Sequence, residues 1–288
     1  MPPRQRGPNV IRKRLGNELR RIREQSNMRL DEVAAELEVS PSKISRLETG
    51  RAVPKVWDVR NLLTLYDVQD DAITARLIKW ANDGKAAGWW MRYSDSIRTD
   101  LEYYISLEAE AASIKSYCSP VIHGLLQTES YARAVLSELA SGDAAATDER
   151  LAVRLGRQDV LTRPEDPVEL HAVLDEAALR RVMGSPAVMR GQFDLLLNRA
   201  AMPNVTLQVF PFEAGAHQAM MSTFTIFEPR EDIDPVVVNI ESIKHDAYDE
   251  GPPLSDELQA AFTDLSRRSL DPAASEALIR KLVRAESR

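Results

Sequence analysis

Hydrophobic residues in the first part of the chain recur at three- and four-residue steps, the period of a helix with one buried face. Val10, Ile11, Leu15, Leu19 and Ile22 form the first such run, and Ser26-Asn27 breaks it. RLDEVAAELEV follows as a short second helix with Leu30, Val33, Ala34 and Leu37 facing inward, the small Ala34 letting the next helix cross closely. Glu38, Val39 and Ser40 make a three-residue turn. Ser40 is placed to cap a third helix, with Pro41 at its first position, Ile44 and Leu47 as its buried face and Thr49-Gly50 as its stop. A fourth helix, KVWDVRNLLTLYDV, buries Val56, Val59, Leu62, Leu63 and Tyr66, and a fifth, roughly 70–82, carries Ile73, Leu77 and Trp80.

Beyond this bundle the pattern changes. Trp89 and Trp90 precede a helix whose apolar side includes Leu101, Tyr104, Ile105, Leu107 and Ala111. Thr128 caps a helix that buries Tyr131, Val135 and Leu136; SGDAAATDE reads as a soft linker, and RLAVRLGRQDVL as one more helix. From about Val168 the reading is mixed. VELHAVLD reads as a strand, and NVTLQVFPF, STFTIFE and PVVVNIE, rich in β-branched residues, as three more, with helices at EAALRRVM and AVMRGQFDLLLNRA. PPLSDELQAAFTDLSRRSL and AASEALIRKLVRAE close the chain as amphipathic helices. The pattern therefore predicts an N-terminal all-α five-helix domain followed by a larger mixed α+β domain. The expected bounds are a loose basic arm at 1–9, the helical domain at 10–82, a linker at 83–88 and the α+β domain at 89–288.

Charge changes that picture by localising it. The formal net charge is −7, yet residues 1–60 carry +6, which leaves −13 on the rest. Before Leu30 there are nine Arg or Lys against Glu18 and Glu24 alone. A basic head on an acidic body suits local contact with a polyanion while the remaining surface is repelled from it. No run of about 18 apolar residues exists, so no membrane span is expected. The basic start lacks the apolar core of a secretory signal. A single cysteine, Cys118, forms no intramolecular disulfide, which fits a reducing cytoplasm.

The outward face of the third helix is short and polar, with Pro41, Ser42, Lys43, Ser45 and Arg46, and it fits a major groove. Two helices joined by a tight turn within a five-helix bundle form the helix-turn-helix geometry. LDEVAAELEVSPSKISRLETG resembles the helix-turn-helix domains of the phage-repressor (Cro/C1, or XRE-type) family over about a quarter of the chain. That resemblance implies binding to double-stranded DNA, with Ser42, Lys43, Ser45 and Arg46 at base edges. Ser40, Arg29 and Leu30 would lie by the phosphates, and so would the basic first helix through Arg12 and Arg14. Glu48 and Arg23 match the family's structural pair. Pro41 and Ser42 stand where some relatives carry longer readers, which shifts readout toward Lys43 and Arg46.

A second resemblance covers residues 88–265. GWW, LEAEA, GLLQTESYAR, RLAVRLGRQ, LDEAALRRVMG, NVTLQVFPFEAGAHQAMMSTFTI and VVVNIE are similar, in order and spacing, to the large C-terminal domain of actinobacterial helix-turn-helix regulators. His123 departs from it, where relatives have proline. The resemblance implies a domain that modulates the head, through a small-molecule effector or a short partner protein in an antitoxin-like arrangement. Trp89, Trp90, Tyr103, Tyr104, His123 and His217 are the candidates to line its pocket. Since one reading helix specifies only a few base pairs, a homodimer is expected. No phosphate loop, GxGxxG or GxSxG occurs, and Cys118, His123 and Glu129 lack a group to orient them as a nucleophilic set. No catalytic residue, metal or cofactor is therefore expected.

Overall fold

The computed structural model describes residues 8–85, 88–93, 95–139, 144–230, 235–242 and 246–285. Most of the basic arm, part of the 83–88 segment and the start of SGDAAATDE lie outside them. The chain divides into two compact units, Met1–Ser94 with Leu101–Glu110, and Asp95–Asp100 with Ala111–Arg288. The 83–88 segment falls within the first unit.

The N-terminal unit is helical. Its helices are α1 (Pro8–Gln25), α2 (Leu30–Glu36), α3 (Pro41–Glu48), α4 (Val56–Leu65) and α5 (Asp71–Asp83). Leu15, Leu19, Val33, Ile44, Val59, Leu62 and Leu77 form its core. The chain leaves α1 through Asn27 and α2 through Glu38, both in the left-handed region with φ of 54° and 53°. Asn and short turns tolerate that region better than most contexts do. Asp70 starts α5 by accepting the amides of Ala72 and Ile73. After a single 3-10 turn at Trp89–Tyr93 comes α6 (Thr99–Glu110).

The C-terminal unit is built on one mixed sheet: β1 (Ser113–Cys118), β2 (Glu169–Asp175), β3 (Val205–Phe210), β4 (Phe224–Glu228), β5 (Val237–Ile240) and β6 (Ala247–Glu250). The strand order is β3-β2-β1-β4-β5-β6. β1, β2 and β3 run parallel, while β4, β5 and β6 continue antiparallel from β1. Its helices are α7 (Glu129–Leu139), α8 (Ala144–Arg157), α9 (Asp159–Thr162), α10 (Glu176–Arg180), α11 (Pro186–Ala200), α12 (Leu254–Arg268) and α13 (Pro272–Ala285). Tyr117, Val173, Phe210, Phe224, Ile226 and Val238 pack under Phe262 and Leu265 of α12. Residues alternating with these, such as Ile114, Leu174, Leu207 and Phe227, are buried too, so both faces of the sheet are covered. α11 and α13 pack on each other and on β3.

Three expectations need correction. The helix expected to reach Ala111 stops at Glu110, and SIKSYC becomes β1, the strand on which both halves of the sheet depend. The stretch read as a linker is helical from Ala144 onward, because its alanines are strong helix formers. RLAVRLGRQDVL is split between α8 and α9, and β6 was not foreseen. Among the described residues no helix is long and apolar enough to cross a membrane.

Candidate nucleic-acid interface

The start and stop of α3 are both set by side chains. Ser40 is extended, with φ −75° and ψ 143°, and its hydroxyl accepts the Lys43 amide at 3.3 Å while Pro41 opens the first turn. At the other end Thr49 Oγ1 donates to the Ser45 carbonyl at 2.8 Å, and Gly50 turns the chain at φ +70°. A Cβ on Gly50 would lie 2.7 Å from the backbone of Lys13, so glycine is required there twice over. Ile44, Leu47 and Glu48 face the core. Ser40, Ser42 and Arg46 are exposed, and Lys43 and Ser45 half-buried.

A buried ion pair holds this helix to α1. Arg23 Nε lies 2.7 Å from Glu48 Oε1 and Nη2 lies 3.0 Å from Oε2, a two-pronged contact, while Nη1 donates to the Met28 carbonyl at 2.9 Å. The hydrogen bonds to Glu48 raise the Arg23 pKa further, against the cost of burial. Beside this pair Gly16 lets the helices touch. A Cβ there would sit 2.3 Å from the Glu48 carbonyl oxygen. α3 is therefore presented at a fixed height over α1.

The other expected contacts are held in different ways. Lys43 Nζ is 2.8 Å from Asp58 Oδ1 on α4, which ties the ammonium across the groove between α3 and α4. Arg46 Nε makes a long bond, 3.3 Å, to the Ser42 carbonyl. Arg29 is exposed at the start of α2, paired with Asp31 at 3.1 Å, and its own amide donates to Glu32 at 2.7 Å. The Leu30 side chain packs against the core, leaving its backbone as the part able to meet a phosphate. Arg12 and Arg14 turn toward α5: Arg12 Nε donates to the Gly84 carbonyl at 2.6 Å, and the Arg14 guanidinium lies 5.4 Å from the Trp80 ring centre. Burial lowers the Arg12 pKa, Glu102 opposing it.

Residues just past α3 were not singled out from the sequence. Arg51 and Lys55 are exposed, and Trp57 keeps 67% of its surface exposed next to Lys43 and Asp58. The signal was present in RAVPKVW, where basic residues and a tryptophan crowd directly behind the glycine stop.

The six residues expected to line a C-terminal pocket do not share one setting. Trp89, Trp90, Tyr103 and Tyr104 belong to the first unit, His123 and His217 to the second. Trp90 is fully buried and Tyr104 nearly so, while the Tyr103 ring receives Lys13 Nζ at 5.1 Å. His123 is buried, its Nδ1 accepting the Leu125 amide at 3.3 Å. Burial, with Arg157 and Arg154 adding to it, pulls the His123 pKa down to about 3. Burial likewise pushes the Cys118 thiol up to about 12, which keeps it protonated and a poor nucleophile. His217 instead meets Tyr117 at 3.1 Å.

Comparison with known proteins adds two matches. Residues 14–77 fit the model of a helix-turn-helix domain, and residues 101–281 fit that of a domain of unknown function, DUF5753. No curated protein and no solved structure matches the chain. A DNA-binding module of general helix-turn-helix type thus forms the head. With most of its length matched, the chain belongs to the DUF5753 family, as a member whose DUF5753 domain follows a helix-turn-helix domain.

Proposed function

We propose that the protein is a sequence-specific transcription regulator that sets α3 into the major groove of double-stranded DNA and works in the cytoplasm as a homodimer. The observation that carries this reading is the mounting of α3. Its polar side, with Ser42 and Arg46 exposed, stands on a buried two-pronged ion pair and a glycine contact, so the reading face is rigid while its tips reach solvent. Arg46 takes the role of guanine reader, since a guanidinium pairs with two acceptors on that base edge. Ser45 and Lys43 complete the base contacts, Lys43 after exchanging Asp58 for DNA. Ser40, the α3 amides, Arg29 and the Leu30 backbone hold phosphates. Arg51 and Lys55 extend the basic surface beyond α3. The DUF5753 domain modulates this activity through an effector or a short partner protein, and serves regulation rather than catalysis.

Binding of the whole chain to DNA upstream of its own gene, against random duplex over a salt series, tests the reading. Tight binding that survives random competitor is the expected result. Weak binding lost equally on both duplexes would remove it.

A further inference from the structure

The stretch that joins α3 to α4 holds apolar side chains out in solvent. Val53 is 55% exposed and Trp57, in the first turn of α4, 67% exposed. Among the described residues of α1 to α5 and the turns between them, no other large apolar side chain is exposed. Tryptophan is well buried on average, and apolar groups left together in solvent mark a surface that something covers.

The backbone that carries them is tied at both ends. The amides of Arg51 and Ala52 donate to the Arg46 carbonyl at 2.9 and 3.0 Å, which anchors the exit from α3 to the residue placed to read guanine. Pro54 is buried, and Val56 and Val59 turn α4 toward the core. Trp57 therefore stands outward from a fixed frame. It shares a shallow groove with Lys43 and Asp58, so the apolar spot is continuous with the polar side of α3.

Charge decides what fits there. Arg51 and Lys55 are exposed on the same stretch, and among the described residues neither meets an acidic group. Asp58, beside Trp57, is already answered by Lys43 at 2.8 Å. Trp57 thus sits amid a surplus of positive charge. A sugar-phosphate strand has the matching pattern, with apolar deoxyribose carbons between one phosphate and the next. It also borders any groove that α3 enters. Contacts to sugar and phosphate fix a protein's register on the duplex without reading its sequence.

The geometry points to a second DNA contact: Trp57, with Val53, packs on the deoxyribose rings of the strand beside α3, while Arg51 and Lys55 hold its phosphates and so set the register of the reading helix. This rests on the proposed seating of α3 in DNA. It is tested with the full chain on the DNA upstream of its own gene and on random duplex, over a salt series. Trp57→Ala should weaken both about tenfold and leave the salt dependence as steep as before, since an apolar contact releases no counterions. Trp57→Phe should recover most of the loss. Lys55→Gln should instead flatten the log-log slope by about 0.9, one phosphate contact. Unchanged affinity in Trp57→Ala overturns the proposal, and so does a loss confined to the specific duplex, which would make Trp57 a base reader. A Trp57→Ala chain that sediments as monomer where the wild type is a dimer, without DNA, overturns it in favour of a contact between two copies. Urea unfolding checks that the variant keeps its stability; should it not, Trp57→Gln takes its place. A wild-type chain that binds neither duplex removes the DNA reading and this contact together, whereas wild-type binding with Trp57→Ala unaffected removes this contact alone.

Discussion

Arg46 and Lys43 lie on one turn of one helix, yet they are held differently. Arg46 is exposed and has a single long bond to its own helix backbone. Arg46→Ala should cost about 1–3 kcal/mol on the specific site and blur its base preference. Equal losses on specific and random duplex in a competition assay would take the reading role away from it. Lys43, by contrast, must leave Asp58 before it can touch DNA. Asp58→Asn should raise affinity for random duplex and steepen the salt dependence by about 0.9 in log-log slope, one added phosphate contact. The same change in a Lys43→Gln background should do nothing; an effect that persists there would assign Asp58 some other role. This pair was not legible in the sequence, because it joins residues on separate helices and nothing in SKISR or VWDVR marks them as partners. His123 carries a third residue-level consequence. Its folded pKa of about 3 lies below the ordinary histidine value, so the unfolded chain binds the proton first and stability falls as pH drops from about 6.5 toward 3. His123→Gln should flatten that fall by up to about 1.4 kcal/mol per pH unit, measured as urea unfolding over a pH series.

Between elements, the contact that matters most is α1 against α3. Removing one partner of a buried ion pair strands the other in a mostly buried site. Glu48→Ala should therefore destabilise the N-terminal unit by about 3–5 kcal/mol, read from chemical unfolding followed by helical signal. A loss of DNA binding with unchanged stability would instead place Glu48 at the interface. The helices of this unit were legible because each limit has a local chemical cause: Ser40 and Pro41 start α3, Gly50 stops it. The sheet was legible only where strands are mostly apolar. β3, β4 and β5 are rich in β-branched residues and β2 carries the apolar stretch Ala172-Val173-Leu174, as strands buried on both faces do. β1 reads SIKSYC and continues the small and charged composition of α6, so no break in pattern marks its start. β6 reads AYDE at the edge of the sheet, half-exposed, with no apolar run to reveal it. The alanines of α8 were misread because small residues mark loops and helices alike.

For the whole molecule, charge distribution and block order said more than any single motif. The +6 of the first sixty residues pointed to the polyanion-binding end, and the order of blocks from 88 onward set apart a second domain, of which 101–281 match a domain of unknown function, DUF5753. The hydrogen-bonded set of Asp175, Tyr117 and His217 was only half visible: His217 stood out as a histidine in a loop, while Tyr117 and Asp175 join it through strand pairing that pattern alone does not disclose.

The central place of β1 also governs how the chain acquires its structure. β1 finds one neighbour in residues 169–175 and the other in 224–228, so it lacks its second neighbour until most of the chain has left the ribosome. Closing such long loops slows folding, whereas helices α1 to α5 of the head close loops that lie within the first 84 residues, such as Arg12 to Gly84. In refolding from denaturant, the helical head should regain its signal well before the sheet does. During synthesis the capacity to hold DNA would thus arise before the DUF5753 domain, and on the regulatory role proposed for that domain a newborn chain would pass through an interval of binding without control.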